Sequence, residues 1–132
     1  MTPTELQNRI RQFSIEVISI EPLCKSRYHL NHLVTQLIRS ATSASLNYAE
    51  ARAAESKQDY IHKMRLVLKE LKESKENLAI VMLTARNDDL STRSAVLFNE
   101  SDQLNAIIAK SIQTAQKNLS IDGNRKTQLG NQ

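Results

Sequence analysis

The sequence has 132 residues and a net charge of +4 at pH 7, and its 15.0 kDa fit one domain with a basic surface. It holds only two glycines and two prolines, and neither residue type occurs between Leu23 and Asp122. Hairpin turns and phosphate-binding loops depend on these residues, so β-barrels, β-sandwiches and nucleotide-binding loops are disfavoured. The composition favours an all-α domain but does not by itself assign an activity.

Cysteine usage and hydropathy indicate a compartment. Cys24 is the only cysteine, so the chain can form neither an internal disulfide nor a multi-cysteine zinc site. No apolar run approaches the roughly 18 residues of a membrane span, and the polar N-terminus does not match a signal peptide. We therefore expect a cytoplasmic protein that does not contact a membrane.

Two helices are predicted in the first half of the chain. Thr2-Pro3-Thr4-Glu5 forms a capping box at the start of the first helix, and Pro22 stops that helix near Ile20. Apolar residues at four-three spacing give it one buried side: Leu6, Ile10, Phe13, Val17 and Ile20. The second helix begins at about Ser26, and small residues in its second half let a neighbouring helix approach closely.

Two more helices complete the prediction. Ser56 is the N-cap of the third helix, and the apolar side of that helix contains Ile61, Met64, Leu68, Leu71, Leu78 and Met82. Asn87-Asp88-Asp89 supplies turn-forming side chains, and the fourth helix runs from about Ser91 to Asp122-Gly123. Short links predict an antiparallel up-down-up-down four-helix bundle over residues 1–121, followed by a polar, disordered tail over residues 122–132.

Candidate catalytic and metal-binding residues are few. A di-metal site in a bundle needs two inward-facing Glu-x-x-His turns, and Asp59-x-x-His62 is the single approximation to one. His29 and His32 lie one turn apart without an acidic or sulfur companion, and Cys24 has no evident orienting acid or oxyanion loop. We therefore expect a non-enzymatic protein with no catalytic residues, no cofactor and no metal.

The third helix carries a pattern of charge. At about 100° per residue, Arg65, Lys69 and Lys72 fall within an arc of about 60°, and we call them the basic ridge. A neighbouring arc holds the acidic flank: Asp59, Glu70 and Glu73. Two interpretations are open. The ridge is either a solvated face with pairs such as Lys72–Glu76, or a surface for phosphates or an acidic partner.

Four blocks of the sequence resemble a known family. They are Gln36 to Ser43, Asn47-Tyr48-x-Glu50-Ala51, Ala54 to Lys63 and Leu68-Lys69-Glu70. Their order, spacing and polar identities are similar to those of the four-helix bundle proteins encoded in intervening sequences of bacterial 23S ribosomal RNA genes. A looser match extends from about Arg9 to Asn118. The usual Gly-rich stretch before the Asn-Tyr pair is Ala41 to Leu46 here, and an aromatic often seen after the Lys-Glu block is replaced around Asn77-Leu78.

The resemblance implies a bundle that assembles as a ring-like homopentamer. A related branch serves as the accessory protein of the reverse transcriptase in diversity-generating retroelements, where a basic pentamer engages nucleic acid and the enzyme. The positions that match the motif are Arg39, Asn47, Glu50, Lys57, Asp59, His62, Lys63, Lys69 and Glu70. A pentamer requires exposed apolar residues off the buried sides, and the candidates are Phe98, Ile38 and Val81.

We therefore predict binding of structured RNA, or of another nucleic acid, through backbone phosphates. The predicted contacts are Arg65, Lys69, Lys72, Lys57 and Lys63. Base stacking contributes little, because the sequence holds three Tyr, two Phe and no Trp. The alternative is an oligomeric interaction scaffold or an accessory subunit of a nucleic-acid enzyme such as a reverse transcriptase. The expected partners are other copies of the chain, RNA and a nucleic-acid-processing protein.

Overall fold

The computed structural model describes residues 1–25 and 27–130, with side chains for residues 1–25 and 27–125. It contains four α-helices, α1 (Pro3–Ser19), α2 (Tyr28–Arg52), α3 (Lys57–Thr84) and α4 (Asp88–Gly130), and a short 3₁₀ helix, Glu21–Cys24. Within these described ranges there is no strand, and no helix is long and apolar enough to cross a membrane. The all-α four-helix bundle predicted from the sequence is confirmed.

The four helices share one apolar core. Helices that follow one another in the chain pack together, and α1 also contacts α4. Each helix contributes side chains that are at most 1% exposed, including Phe13, Leu37, Leu71 and Leu104. Burial of these side chains is the main source of stability and fixes which side of each helix faces water.

Local signals in the sequence set most helix ends. The Thr2 hydroxyl accepts a hydrogen bond from the Glu5 amide at 3.1 Å, and the Thr2 amide donates to the Glu5 carboxylate at 2.8 Å, which completes the predicted capping box. The Ser56 hydroxyl accepts from the Asp59 amide at 3.0 Å, as predicted. Asn87 caps α4 in the same manner, and this helix begins three residues before the predicted start.

The predicted end of the last helix at Asp122-Gly123 is wrong, because α4 continues to Gly130. A glycine ends a helix by adopting a positive φ, and no described glycine does so. Gly123 continues the helix instead, at a cost of about 1 kcal/mol relative to alanine. The division into a domain over residues 1–121 and a tail over 122–132 stays a prediction, and residues 131 and 132 lie outside the described part. The predicted start of the second helix at Ser26 also falls on a residue that is not described.

The exposed apolar residues differ from those predicted. Val81 is fully buried, so its assignment to an oligomer surface is wrong, and Ile38 and Phe98 are half-buried against the core. The buried side of α3 includes Ser74, Asn77, Leu78 and Val81. Val81 therefore faces the core at the end of this helix. The large apolar side chains that are exposed include Ile15 and Ile18 on α1, Leu46, Leu83 and Val96.

Candidate nucleic-acid interface

The basic ridge lies on the solvent side of α3. Its three residues follow at spacings of four and three, which places them on one side of the helix, and all three are exposed. Residues on the opposite side of the helix, such as Met64 and Leu71, are fully buried. The amphipathic pattern that anchors α3 in the core therefore also directs the ridge outward.

The three ridge cations carry no ion pair with any side chain in the described part of the chain. The pair Lys72–Glu76, which the sequence allows at one helical turn, is not formed. An exposed pair of this kind gains little over hydration, so its absence fits the usual energetics. The positive charge of the ridge is therefore available to an external anion.

Lys57 and Lys63, also predicted to contact nucleic acid, are engaged within the bundle. The Lys57 ammonium forms an ion pair with Asp122 of α4. The Lys63 Nζ atom lies 2.9 Å from Oε2 of Glu50 on α2, and this hydrogen bond raises the pKa of Lys63 above its ordinary value. The structure thus brings the ridge residues together on one surface, whereas Lys57 turns toward α4 and Lys63 toward α2.

Two carboxylates of the acidic flank face α2. Arg39 lies 3.6 Å from Oε2 of Glu70 and 3.0 Å from Oε2 of Glu73. Burial raises the pKa of Glu70, the nearby Glu73 raises it further, and Arg39 opposes both effects. Because Arg39 partly neutralises these carboxylates on the α2 side, they oppose an anion on the ridge less than free carboxylates would.

Several residues of the family-like blocks pair with one another across α2 and α3. Arg39 contacts Glu70, and Lys63 contacts Glu50. Asn47 donates a hydrogen bond to the Ser43 carbonyl within α2. These motif positions therefore have a structural role in this chain, whereas Lys69 is directed to solvent.

The prediction from sequence missed two cations on α4. Lys110 and Lys117 are exposed, and neither has an ion pair among the described side chains. They are seven residues apart, so they lie on the same side of the helix two turns from each other. The sequence held a signal for them, because no Asp or Glu occurs between Asp102 and Asp122.

A groove of about 360 Å³ joins the ridge to α4. Gln58, Ile61 and Arg65 line it from α3, and Gln116, Leu119 and Ser120 line it from α4. Arg65 therefore borders the part of α4 that carries Lys117. The ridge therefore adjoins α4 at its Arg65 end.

The other candidate chemical groups are not assembled into a site. In the part of the chain described, no three His, Cys, Asp or Glu side chains lie together as a metal site would require. Cys24 is buried and donates to the Ile20 carbonyl, and burial raises the pKa of its thiol. A raised pKa lowers the thiolate fraction, so Cys24 is a poor nucleophile.

Comparison with known proteins agrees with this architecture. The family model for the 23S rRNA-intervening sequence protein matches residues 4–110. The chain belongs to this family. The resemblance drawn from the four sequence blocks is therefore confirmed.

One solved structure shows the same fold. It is a crystal structure of a protein with unknown function from the S23 ribosomal protein family of Bacteroides thetaiotaomicron. The likeness has a TM-score of 0.73 and covers 86% of this chain and 99% of that one, at 22% sequence identity. At this identity the likeness shows the fold alone. Comparison with curated proteins finds no match.

Proposed function

We propose that this protein is a non-enzymatic RNA-binding protein that contacts the backbone phosphates of structured RNA through the basic ridge. The observation that carries the proposal is that Arg65, Lys69 and Lys72 are exposed together and unpaired among the described residues, while Glu70 and Glu73 face Arg39. The family is named after intervening sequences of 23S rRNA, which supports structured RNA as the class of partner. The buried, unpaired Cys24 supports a reducing, cytoplasmic location.

In this proposal the binding is electrostatic and independent of RNA sequence. Lysine and arginine displace counterions from phosphates, and the release of those counterions drives association. Lys57 and Lys63 contribute less than the ridge, because a phosphate must compete with Asp122 for Lys57 and with Glu50 for Lys63. The net charge of +4 adds a long-range attraction that speeds encounter with a polyanion.

The proposal is tested by a fluorescence-anisotropy titration of a structured ribosomal RNA fragment at about 50 and 200 mM salt. Each phosphate contact adds about 0.7 to 0.9 to the magnitude of the slope of log affinity against log salt. We expect saturable binding with a slope of several contacts. The variant Arg65→Glu/Lys69→Glu/Lys72→Glu should lose binding and keep its helix content by circular dichroism.

The matched control reverses three exposed cations outside the ridge that also form no ion pair among the described side chains, in the variant Arg11→Glu/Arg86→Glu/Arg125→Glu. It changes the net charge equally and should retain more RNA affinity than the ridge variant. Unchanged affinity in the ridge variant would eliminate the ridge as the binding site. No binding by the unmodified protein at the lower salt would overturn the proposed function.

A second candidate function is an oligomeric scaffold, and exposed apolar residues favour it. Ile15, Ile18 and Val96 are 51%, 47% and 60% exposed, and Val96 lines a groove of about 320 Å³ between α1 and α4. Contiguous exposed apolar patches are typical of protein contacts, and the scaffold requires that such residues form one between neighbouring copies. In this proposal copies of the chain form a ring-like homopentamer, which recruits a nucleic-acid enzyme such as a reverse transcriptase.

The proposed helix directions are antiparallel, in the order up-down-up-down. Two ion pairs between α3 and α4 support this order. Lys57, at the start of α3, pairs with Asp122 late in α4, and Lys75 lies 2.7 Å from Asp102 earlier in α4. Ascending positions on α3 thus meet descending positions on α4.

Light scattering distinguishes the scaffold from a monomeric RNA-binding protein. A pentamer has five times the mass of the 15.0 kDa chain. A mass of one chain at micromolar concentration would eliminate the oligomer. Binding to a protein partner that resists salt, without any affinity for RNA, would favour the scaffold over the RNA-binding function.

A further inference from the structure

The charge pattern of α4 extends the surface around the ridge. Between Asp102 and Asp122 the helix contains Lys110 and Lys117 but no carboxylate. The two carboxylates at the ends of this segment are already engaged, Asp102 with Lys75 at 2.7 Å and Asp122 with Lys57. The outer side of this stretch of α4 therefore carries positive charge alone.

We propose that Lys110 and Lys117 form a second row of phosphate contacts, and that the two rows together bind the two strands of an RNA duplex. We call this surface the basic face: Arg65, Lys69, Lys72, Lys110 and Lys117. The inference rests on the proposed function, since it takes the ridge as one row. It adds a second helix to the site and names double-helical RNA as the substrate class.

The spacing of the rows supports two strands. Arg65 to Lys72 and Lys110 to Lys117 each span seven residues, or about 10 Å along a helix at about 1.5 Å per residue. Packed helix axes lie about 8–10 Å apart, so the rows run side by side at that separation or more. The groove that Arg65 shares with Gln116 places the rows next to each other. One strand of phosphates follows one row, and a duplex supplies a second strand for the other row.

The aromatic residues favour a duplex over a single strand. All five aromatic side chains lie in the described part of the chain, and among these only Tyr28, at the start of α2, is exposed. Phe98 is half-buried, with the Lys75 ammonium 5.3 Å from its ring centroid. Single-stranded RNA gains much of its affinity by stacking bases on aromatic rings. A duplex encloses its bases and presents phosphates and 2′-hydroxyls, which match a face of cations without exposed rings.

The basic face has a defined limit along α3. Glu76 is exposed one turn beyond Lys72, and Glu73 is held by Arg39. A duplex that followed the face past Lys72 would meet the Glu76 carboxylate. The predicted contact region therefore extends from Arg65 to Lys72 on α3 and over the facing part of α4.

The test compares a labelled RNA duplex of about 20 base pairs with one of its strands alone. The sequence of that strand is chosen to have no self-complementarity. The duplex length covers the roughly 16 base pairs that a double-stranded-RNA domain spans. Anisotropy is measured between about 50 and 200 mM salt. The variants are Lys110→Glu/Lys117→Glu and, as a control with the same change in charge, Arg11→Glu/Arg86→Glu. Circular dichroism verifies that both variants keep their helix content.

We expect the unmodified protein to bind the duplex more tightly than the strand. The Lys110→Glu/Lys117→Glu variant should bind the duplex at least about tenfold more weakly, with a salt slope lower by about two, one unit for each lost phosphate contact. The control should remain closer to the unmodified protein.

The outcomes separate the inference from the proposed function. If the α4 variant matches the control on the duplex while the ridge variant loses binding, the second row is wrong and the proposed function stands. If the single strand binds as tightly as the duplex, the proposal that the basic face recognises double-helical RNA is wrong. If the unmodified protein binds neither RNA, both the inference and the proposed function are overturned.

Discussion

Polar residues on the α2 side of α3 and on its solvent side differ in their contacts. Toward α2, Ser74 shares a hydrogen bond of 2.8 Å with Ser40, and the Asn77 amide donates to the Leu33 carbonyl at 3.0 Å. Toward solvent, the basic ridge has no ion pair with any described side chain. One helix thus carries polar contacts that join it to its neighbour and a charged surface with no ion-pair partner among the described side chains.

This difference between the two sides of α3 indicates which cations can bind an external anion. A side chain bonded to the next helix must break that contact before it binds a phosphate, whereas an exposed unpaired cation gives up only water and counterions. The cations of the sequence are therefore not equivalent. Those on the α2 side, such as Lys63, are paired with a carboxylate of the neighbouring helix, and those on the ridge remain available.

The largest expected effect on stability comes from the core beneath both sides. Leu71 of α3 is fully buried, and Leu71→Ala should lower the free energy of unfolding by about 2–5 kcal/mol through lost burial and a cavity. Urea denaturation monitored by circular dichroism measures this. A decrease in the free energy of unfolding below about 1 kcal/mol is typical of a substitution at an exposed position and would contradict the packing of α3.

A smaller effect is expected on the α2 side alone. Asn77→Ala removes the hydrogen bond to the Leu33 carbonyl and should lower the free energy of unfolding by about 1 kcal/mol. RNA affinity should stay unchanged, because this side does not contact the phosphates in the proposal. A loss of RNA affinity in the folded variant would contradict the claim that the α2 side of α3 does not contact RNA.

The smallest effect is expected at Arg39, and it should depend on pH. Burial raises the pKa of Glu70 and Arg39 lowers it, so Arg39→Gln should raise this pKa further. Arg39 stabilises the ionised form of Glu70, so this contribution is present above the pKa of Glu70 and is lost as the pH falls through it.

We expect Arg39→Gln to cost less than about 1 kcal/mol at neutral pH, since the side chain of Arg39 is mostly exposed. The cost should shrink toward zero at about pH 4 and below, where carboxylates become protonated. Urea denaturation at both pH values measures it. A cost that is equal at the two pH values would contradict the ion pairs with Glu70 and Glu73.

The sequence predicted features that depend on neighbours within a few residues. The capping box at Thr2, the N-cap at Ser56 and the stop before Pro22 are local, and the structure has all three. The predicted helix end at Gly123 was wrong because a glycine stops a helix only when the backbone takes a positive φ, which residue type alone does not decide.

Partners that are distant in the sequence could not be predicted. Lys57 meets Asp122, which lies in the last helix, and Arg39 of α2 meets two carboxylates of α3. Helical spacing places a residue on a side of its own helix, but the residue that faces it depends on how the helices pack. The sequence therefore predicted that the ridge faces outward but not that two of the five proposed contacts are paired.

The most direct test compares paired with unpaired cations at equal loss of charge. The variants are Arg65→Gln/Lys69→Gln on the ridge and Lys57→Gln/Lys63→Gln in the ion pairs, and the measurement is the salt dependence of binding to a structured RNA. The account predicts that the ridge variant lowers the slope of log affinity against log salt by about two, and that the other variant changes it by much less. Equal reductions in the two variants would contradict the claim that unpaired cations form the binding surface.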